Sequence, residues 1–321
     1  MIVQWYAHLP GVALQSSREL SFGAGKLAHV PFDEWHQLDD AFSFNESHYK
    51  QSRPVFYTGE ADFPEDLDIA REFIHKSIHM LYLAFLLEQE VPLLPAPEMS
   101  VTYLRIPRVI DDNTPAGSYY EREIGPFERE WIVFERSGRT TFDDARLSSV
   151  RWAYSQVAAF DPDNAFSGVA AGLDTLELTA RPEFWWHNEG IDLINGFVHC
   201  MAALEHILLP SHDEAPTGMK LTPTFGQHAA VITKASRKDL QQRAKHFSAL
   251  YRLRSRLVHG EMGLTQLTDQ EWSFLDEGRE LLRYVLLKAM ELRKVNKDYD
   301  SLSLLLAQAF KNDDVHRSLF S

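Results

Sequence analysis

A single cysteine, Cys200, stands among 321 residues. No disulfide can form within the chain, which fits a reducing compartment. Long apolar runs are also missing. The longest, Met80 to Leu87, is far short of the ~20 residues a membrane-spanning helix needs. The opening segment, MIVQWYAHLPGVALQS, has no basic stretch ahead of a long apolar core and does not read as a secretory leader. Internal repeats and low-complexity tails are absent. With 45% apolar and 24% charged residues, the expectation is a soluble, cytoplasmic protein with no membrane association. The length leaves room for two domains, each with its own core.

Positive charge is scarce overall. The formal charge is −14, which argues against a polyanionic partner until its distribution is seen. Residues 1–163 hold 14 Lys/Arg and 26 Asp/Glu, a net of −12, whereas residues 164–321 hold 18 and 20, a net of −2. Within that second half, Lys234 to Arg256 carries eight basic side chains and one acid, Asp239. The most basic stretch of an acidic chain is thus confined to one segment, which is either a solvated face or a contact surface for phosphate.

The first half mixes signals. Runs rich in β-branched and aromatic residues read as strands at Val3–His8, Pro54–Thr58, Val101–Ile106 and Trp131–Glu135. Between them one helix starts near Pro64, with Glu65, Asp66 and Asp68 suiting its N-terminus, and runs to about Leu87. Its second half is apolar all round, so burial on several sides is expected. The Pro-rich PLLPAP at 92–97 ends it. Residues 1–160 therefore read as an α+β domain. DPDN at 161–164 is a loop signal and a boundary. Beyond it, residues 161–321 read as an all-helical antiparallel bundle. Helices are expected near 165–180, 184–209, 224–233, 237–259, 269–295 and 300–311. Thr268 with Glu271 spells a capping box, Ser236 with Asp239 resembles one, and Gly260 stands where a left-handed C-cap residue is expected.

That glycine closes the segment YRLRSRLVHG, Tyr251 to Gly260. Here Arg254 precedes His259 by five positions. A guanidinium holds phosphate with a planar fork, and an imidazole moves a proton near neutral pH. Together they approach the minimum for cutting RNA without a metal. The helix has an apolar face of Leu240, Ala244, Phe247, Leu250, Tyr251 and Val258, and Arg254 falls on it. Lys238, Lys245, Arg252 and Arg256 follow a different, solvated stripe. A charge on a core-facing stripe must be paired or face a cavity. One partner is Glu205, itself in an apolar stripe with Val198, Met201 and Leu208. A structural Glu205–Arg254 pair, with His259 answering the helix dipole, is the plain alternative to a catalytic pair.

RLRSRLVHG resembles the Arg-x4–6-His signature of HEPN domains, in particular the Apea-like HEPN group. The upstream FVHCMAALEHILLP resembles the helix that carries a characteristic Glu followed by leucines in that group, and the helix order agrees. The resemblance covers roughly residues 165–321; residues 1–160 resemble nothing familiar. It implies a small helical bundle, often a metal-independent endoribonuclease, commonly a homodimer with two Arg–His motifs facing one cleft. Arg254 and His259 match the motif, Ser255 matches the polar residue after the arginine, and Glu205 matches the upstream acid. Many members act in toxin–antitoxin or antiphage systems; others have no nuclease activity and bind nucleotides or proteins.

The implied chemistry suits these residue types. The RNA 2′-hydroxyl attacks the adjacent phosphorus, leaving 2′,3′-cyclic phosphate and 5′-hydroxyl ends, and DNA resists. His259 serves as base or acid, two copies dividing the roles. Arg254 stabilises charge on the phosphoryl oxygens, Ser255 positions the phosphate or Arg254, and Lys238, Lys245, Arg252 and Arg256 hold the RNA backbone. No metal or cofactor is required. The charge asymmetry makes residues 1–160 a candidate regulatory domain with a ligand or protein partner of its own.

Other constellations carry less. SFGAGK at 21–26 lacks phosphate-loop spacing and reads as a turn. His75 and His79 form an i,i+4 pair without an evident third metal ligand. Glu205, His206, His212 and Asp213 cluster near a helix end and read as a surface turn. Trp185 and Trp186 read as packing rather than a base-stacking platform, and Cys200, in an apolar stretch, does not read as a nucleophile.

Overall fold

A computed structural model describes residues 2–9, 12–15, 19–29, 55–62, 67–88, 102–107, 119–124, 140–180, 189–211, 215, 217–233, 236, 238–261, 266–296, 299 and 301–319. The chain divides into two compact units, Met1–Ala158 and Ala159–Ser321. The division falls just ahead of DPDN.

In the first unit β1 (Ile2–His8) is the spine of a six-stranded antiparallel sheet. With β3 (Leu20–Phe22), β4 (Gly25–His29), β5 (Val55–Asp62), β6 (Thr102–Pro107) and β7 (Tyr119–Ile124), the order is β3-β4-β5-β1-β6-β7. A short parallel pair joins β2 (Val12–Leu14) to β8 (Thr140–Phe142). Consecutive residues Trp5, Tyr6 and Ala7 are all buried, as are Val55, Phe56 and Tyr57. Side chains alternate across a sheet, so the centre of this one is covered on both faces. SFGAGK closes the β3–β4 hairpin, with Gly23 at φ 56°.

Among the described residues two helices accompany the sheet, α1 (Leu67–Glu88) and α2 (Asp144–Ala158). Leu81 to Leu87 are buried without a break, as expected for a segment apolar all round. Phe73 of α1 meets Trp5 edge-on at 6.2 Å, Phe85 meets Phe142 at 5.1 Å, and Tyr154 of α2 meets Phe22 at 5.9 Å. The sequence reading missed α2, expecting one helix here. Asp143 starts it, its carboxylate accepting from the Arg146 N–H at 2.8 Å. Leu147, Val150, Tyr154 and Val157 then supply a buried stripe at spacings of three and four. The expected strand Trp131–Glu135, the cap at Pro64 to Asp66 and the PLLPAP stop lie outside the described residues.

Among the described residues of the second unit, every regular element is a helix. Beyond a short 3-10 turn at Pro162–Asn164, they are α3 (Val169–Ala180), α4 (Glu189–Leu208), α5 (Leu221–Ile232), α6 (Leu240–Val258), α7 (Asp269–Val295), α8 (Leu302–Lys311) and α9 (Asp313–Ser318). The long α7 packs against α3, α4, α5 and α6, and α5 packs closely along α6. The Thr268–Glu271 capping box starts α7 as the sequence spells it. At the other end of α7, Arg293 donates to the carbonyls of Asn164 and Tyr299 and lies 5.1 Å from the Phe166 ring, tying the start of this unit to its last long helix. None of the helices, among the described residues, is long and apolar enough to cross a membrane.

A buried histidine makes the second unit sensitive to acid. His228 on α5 is 3% exposed, and its Nδ1 lies 2.6 Å from the Leu208 carbonyl oxygen. A carbonyl only accepts, so Nδ1 carries the hydrogen. Burial holds this imidazole below its usual protonation range, only partly offset by that hydrogen bond. A lowered folded-state pKa gives stability that is present above about pH 6.5 and lost as the pH falls, by up to about 1.4 kcal/mol per pH unit. Urea midpoints at pH 7.5 and pH 5 are expected to differ more for the wild type than for His228→Asn, which keeps a donor without titrating. Equal differences would remove His228 as the cause.

Candidate active site

The apolar stripe of α6 forms because Leu240, Ala244, Phe247, Leu250, Tyr251 and Leu253 recur on one side and are all buried. Val258 is a correction. Expected on this face, it is 47% exposed, because the helix ends there and no turn remains to be covered. The end is closed by backbone alone. His259 N–H donates to the Ser255 carbonyl at 3.0 Å, Gly260 N–H to Leu257 at 3.2 Å and Glu261 N–H to Arg256 at 3.0 Å. The last two make a Schellman motif, which needs a left-handed residue. Gly260 supplies it at φ 68°. The histidine of the motif is therefore the C-cap residue of α6.

Arg254 meets Glu205. Its Nη2 lies 3.0 Å from Glu205 Oε2, with the two side chains 22% and 27% exposed. The pair joins α6 to α4, and it is half-buried rather than sealed. The other carboxylate oxygen, Oε1, accepts from the Tyr251 hydroxyl at 2.7 Å. The sequence places Tyr251 on the apolar face; the structure makes its hydroxyl a polar partner of Glu205. The signal was present, since Tyr251 precedes Arg254 by three positions and a buried tyrosine needs a partner for its hydroxyl. Its ring lies against Phe225 of α5, with centroids 4.9 Å apart. Burial first, then the hydrogen bond and charge of Glu205, raise the Tyr251 phenol above its usual range, so it remains a neutral donor. The Arg254 Nε atom is buried and has no hydrogen-bond partner among the described residues.

The remaining site residues separate by exposure. Arg252 and Arg256 on α6, Lys245 on the same helix and Lys238 in the turn before it are all exposed, as their stripe implied. Two of them are engaged. Arg252 Nε donates to the Ser248 carbonyl one turn back at 3.2 Å. Arg256 Nη1 reaches Glu271 Oε1 at 2.6 Å, while Glu271 Oε2 serves the α7 cap. This Arg256–Glu271 tie was not anticipated. Ser255 is half-buried, and its carbonyl holds the His259 N–H. The His259 imidazole is exposed, with no hydrogen-bond or ion-pair partner among the described residues. The structure thus brings Arg254, Glu205 and Tyr251 together by side chains. Ser255 and His259 join them through the backbone of one helix end.

His206 is exposed at the end of α4. His212, Asp213, Trp185, Trp186 and Lys234 lie outside the described residues. His75 and His79 share α1, and no three His, Cys, Asp or Glu side chains gather as a metal site among the described residues. Cys200 is fully buried and 3.8 Å from the Thr179 hydroxyl, and burial pushes its thiol pKa up, away from a reactive thiolate. Compared with known proteins, the chain matches no family profile, no curated protein and no solved structure.

Proposed function

We propose that the chain is a HEPN-type, metal-independent endoribonuclease that acts as a homodimer. The observation that carries this reading is the contrast within one helix end. Arg254 is a half-buried cation held at one carboxylate oxygen, and His259 is an exposed imidazole with no partner among the described residues. A phosphate diester approaching this end meets a fixed positive charge and a free proton-transfer group. In the reaction the RNA 2′-oxygen bonds to phosphorus, its proton passes to one imidazole, and the P–O5′ bond breaks as a second imidazole protonates the leaving oxygen. One histidine in each of two copies supplies both. Arg254 offsets the charge on the phosphoryl oxygens, Ser255 positions the phosphate or Arg254, and Lys238, Lys245, Arg252 and Arg256 contact the backbone. A role in toxin or antiphage defence follows from the family resemblance alone, and a regulatory part for the first unit follows from the charge asymmetry alone.

The Arg254–Glu205 ion pair favours a second reading, a non-catalytic interaction protein in which the pair serves to lock α4 to α6. One experiment separates them. Single-stranded RNA incubated with the full chain in EDTA is expected to yield fragments ending in 2′,3′-cyclic phosphate and 5′-hydroxyl, with the matching DNA intact. Arrest by EDTA, or fragments with 5′-phosphate ends, would reject the mechanism.

A further inference from the structure

The three-sided arrangement at Glu205 holds more than an ion pair. A carboxylate facing a guanidinium ordinarily takes two parallel N–H bonds, because the fork geometry matches both oxygens. Here it takes one. Oε2 is on Arg254 Nη2 at 3.0 Å, and Oε1 is on the Tyr251 hydroxyl at 2.7 Å. The Arg254 Nε–H, meanwhile, is buried with no acceptor among the described residues. A buried donor without a partner is costly and calls for an explanation. Nε forms a fork with a terminal nitrogen of the same guanidinium, so an obvious acceptor for it is the oxygen that Tyr251 occupies.

We propose that Tyr251 is a positioning residue that holds the Glu205 carboxylate in a one-point contact and so keeps Arg254 from being closed off in a two-point pair. Its ring is fixed against Phe225, and the residue is only 5% exposed, so the hydroxyl has little freedom to leave. The arginine is oriented by a contact at one terminal nitrogen, and the exposed part of its side chain, 22%, is left to an incoming anion. This rests on reading Arg254 as the ligand of an RNA phosphate; the local geometry can be tested apart from that reading.

Tyr251→Phe removes the hydroxyl and keeps the ring. The carboxylate is then free to turn its second oxygen toward Nε. In the full chain, phenylglyoxal modification of Arg254, followed by peptide mass spectrometry, is expected to slow by about fivefold or more, with Arg252 as an internal reference. In a Glu205→Gln background the same tyrosine change is expected to leave Arg254 reactivity unmoved, because the effect passes through the carboxylate. Cleavage of RNA by Tyr251→Phe is expected to fall about tenfold in kcat with KM within about twofold. Unchanged or faster modification of Arg254 in Tyr251→Phe overturns the proposal, as does an equal effect in the Glu205→Gln background. Should the wild type cleave no RNA while Arg254 still becomes protected, the ribonuclease reading falls and the positioning role of Tyr251 stands.

Discussion

His259→Ala is expected to lower RNA cleavage by at least about a hundredfold, the low end of what a positioned proton-transfer group contributes, while leaving the melting temperature nearly unchanged. The two halves of this expectation have separate grounds. The imidazole is exposed and without a partner among the described residues, so its removal breaks no contact. The α6 terminus is held by the backbone N–H groups of His259, Gly260 and Glu261, and alanine retains the one it needs. Arg254→Ala also removes a charge from the proposed site, but with a different signature. It leaves the Glu205 carboxylate, 27% exposed, with the Tyr251 hydroxyl as its remaining partner among the described residues and costs about 1–2 kcal/mol of stability, a buried-pair penalty discounted for solvent access. The check is single-turnover cleavage and thermal unfolding on the same preparations. A His259→Ala variant that cuts RNA at the wild-type rate removes His259 from the chemistry.

The second large effect concerns packing. Gly226→Ala is expected to destabilise the second unit by about 3 kcal/mol, the upper part of the range for overpacking, and to lower its melting temperature by roughly 10 °C. A Cβ at Gly226 would lie 2.2 Å from the Ala244 carbonyl oxygen and 2.1 Å from Ser248 Oγ. The carbonyl belongs to the α6 backbone and cannot turn away, so α5 and α6 must move apart. Ser248 cannot simply yield either, because its hydroxyl donates to Ala244 at 2.7 Å and lies 3.2 Å from the Thr222 carbonyl on α5. Gly196→Ala is the control. Among the described residues its Cβ would find only Arg279 Nη2 at 3.7 Å, and a helix interior favours alanine over glycine by up to about 1 kcal/mol. Opposite signs in a calorimetric comparison are expected; a Gly226→Ala protein as stable as the wild type would refute the close-approach argument.

Much of the second unit was legible because its signals are local. The capping box at Thr268, the C-cap at Gly260 and the three-and-four spacing in α6 each depend on residues within a turn or two. The sheet was less so. Strands such as β3 and β8 span three residues, too few to show alternation, and they exist because of partners distant in the chain. Helix α2 was overlooked because Ser148, Ser149, Arg146 and Arg151 dilute its stripe. At the candidate site the Arg254–Glu205 pair was named as an alternative from the two apolar stripes that carry them. What the stripes did not contain was the division of one carboxylate between an ion-pair partner and a hydroxyl donor. That depends on the distance between α4 and α6, which no spacing within either helix encodes.

The other divided carboxylate, Glu271, bears on how much charge a polyanion meets. The basic segment counts eight cations in sequence. In the fold Arg254 faces Glu205 and Arg256 faces Glu271, so two of the eight are already neutralised by carboxylates held in place. Glu271 is anchored by its bonds to Thr268 and does not drift away when a phosphate arrives. Counterions would therefore be displaced chiefly from Lys238, Arg243, Lys245 and Arg252 among the described residues. The affinity of this helix for nucleic acid would then weaken with added salt less steeply than its composition implies.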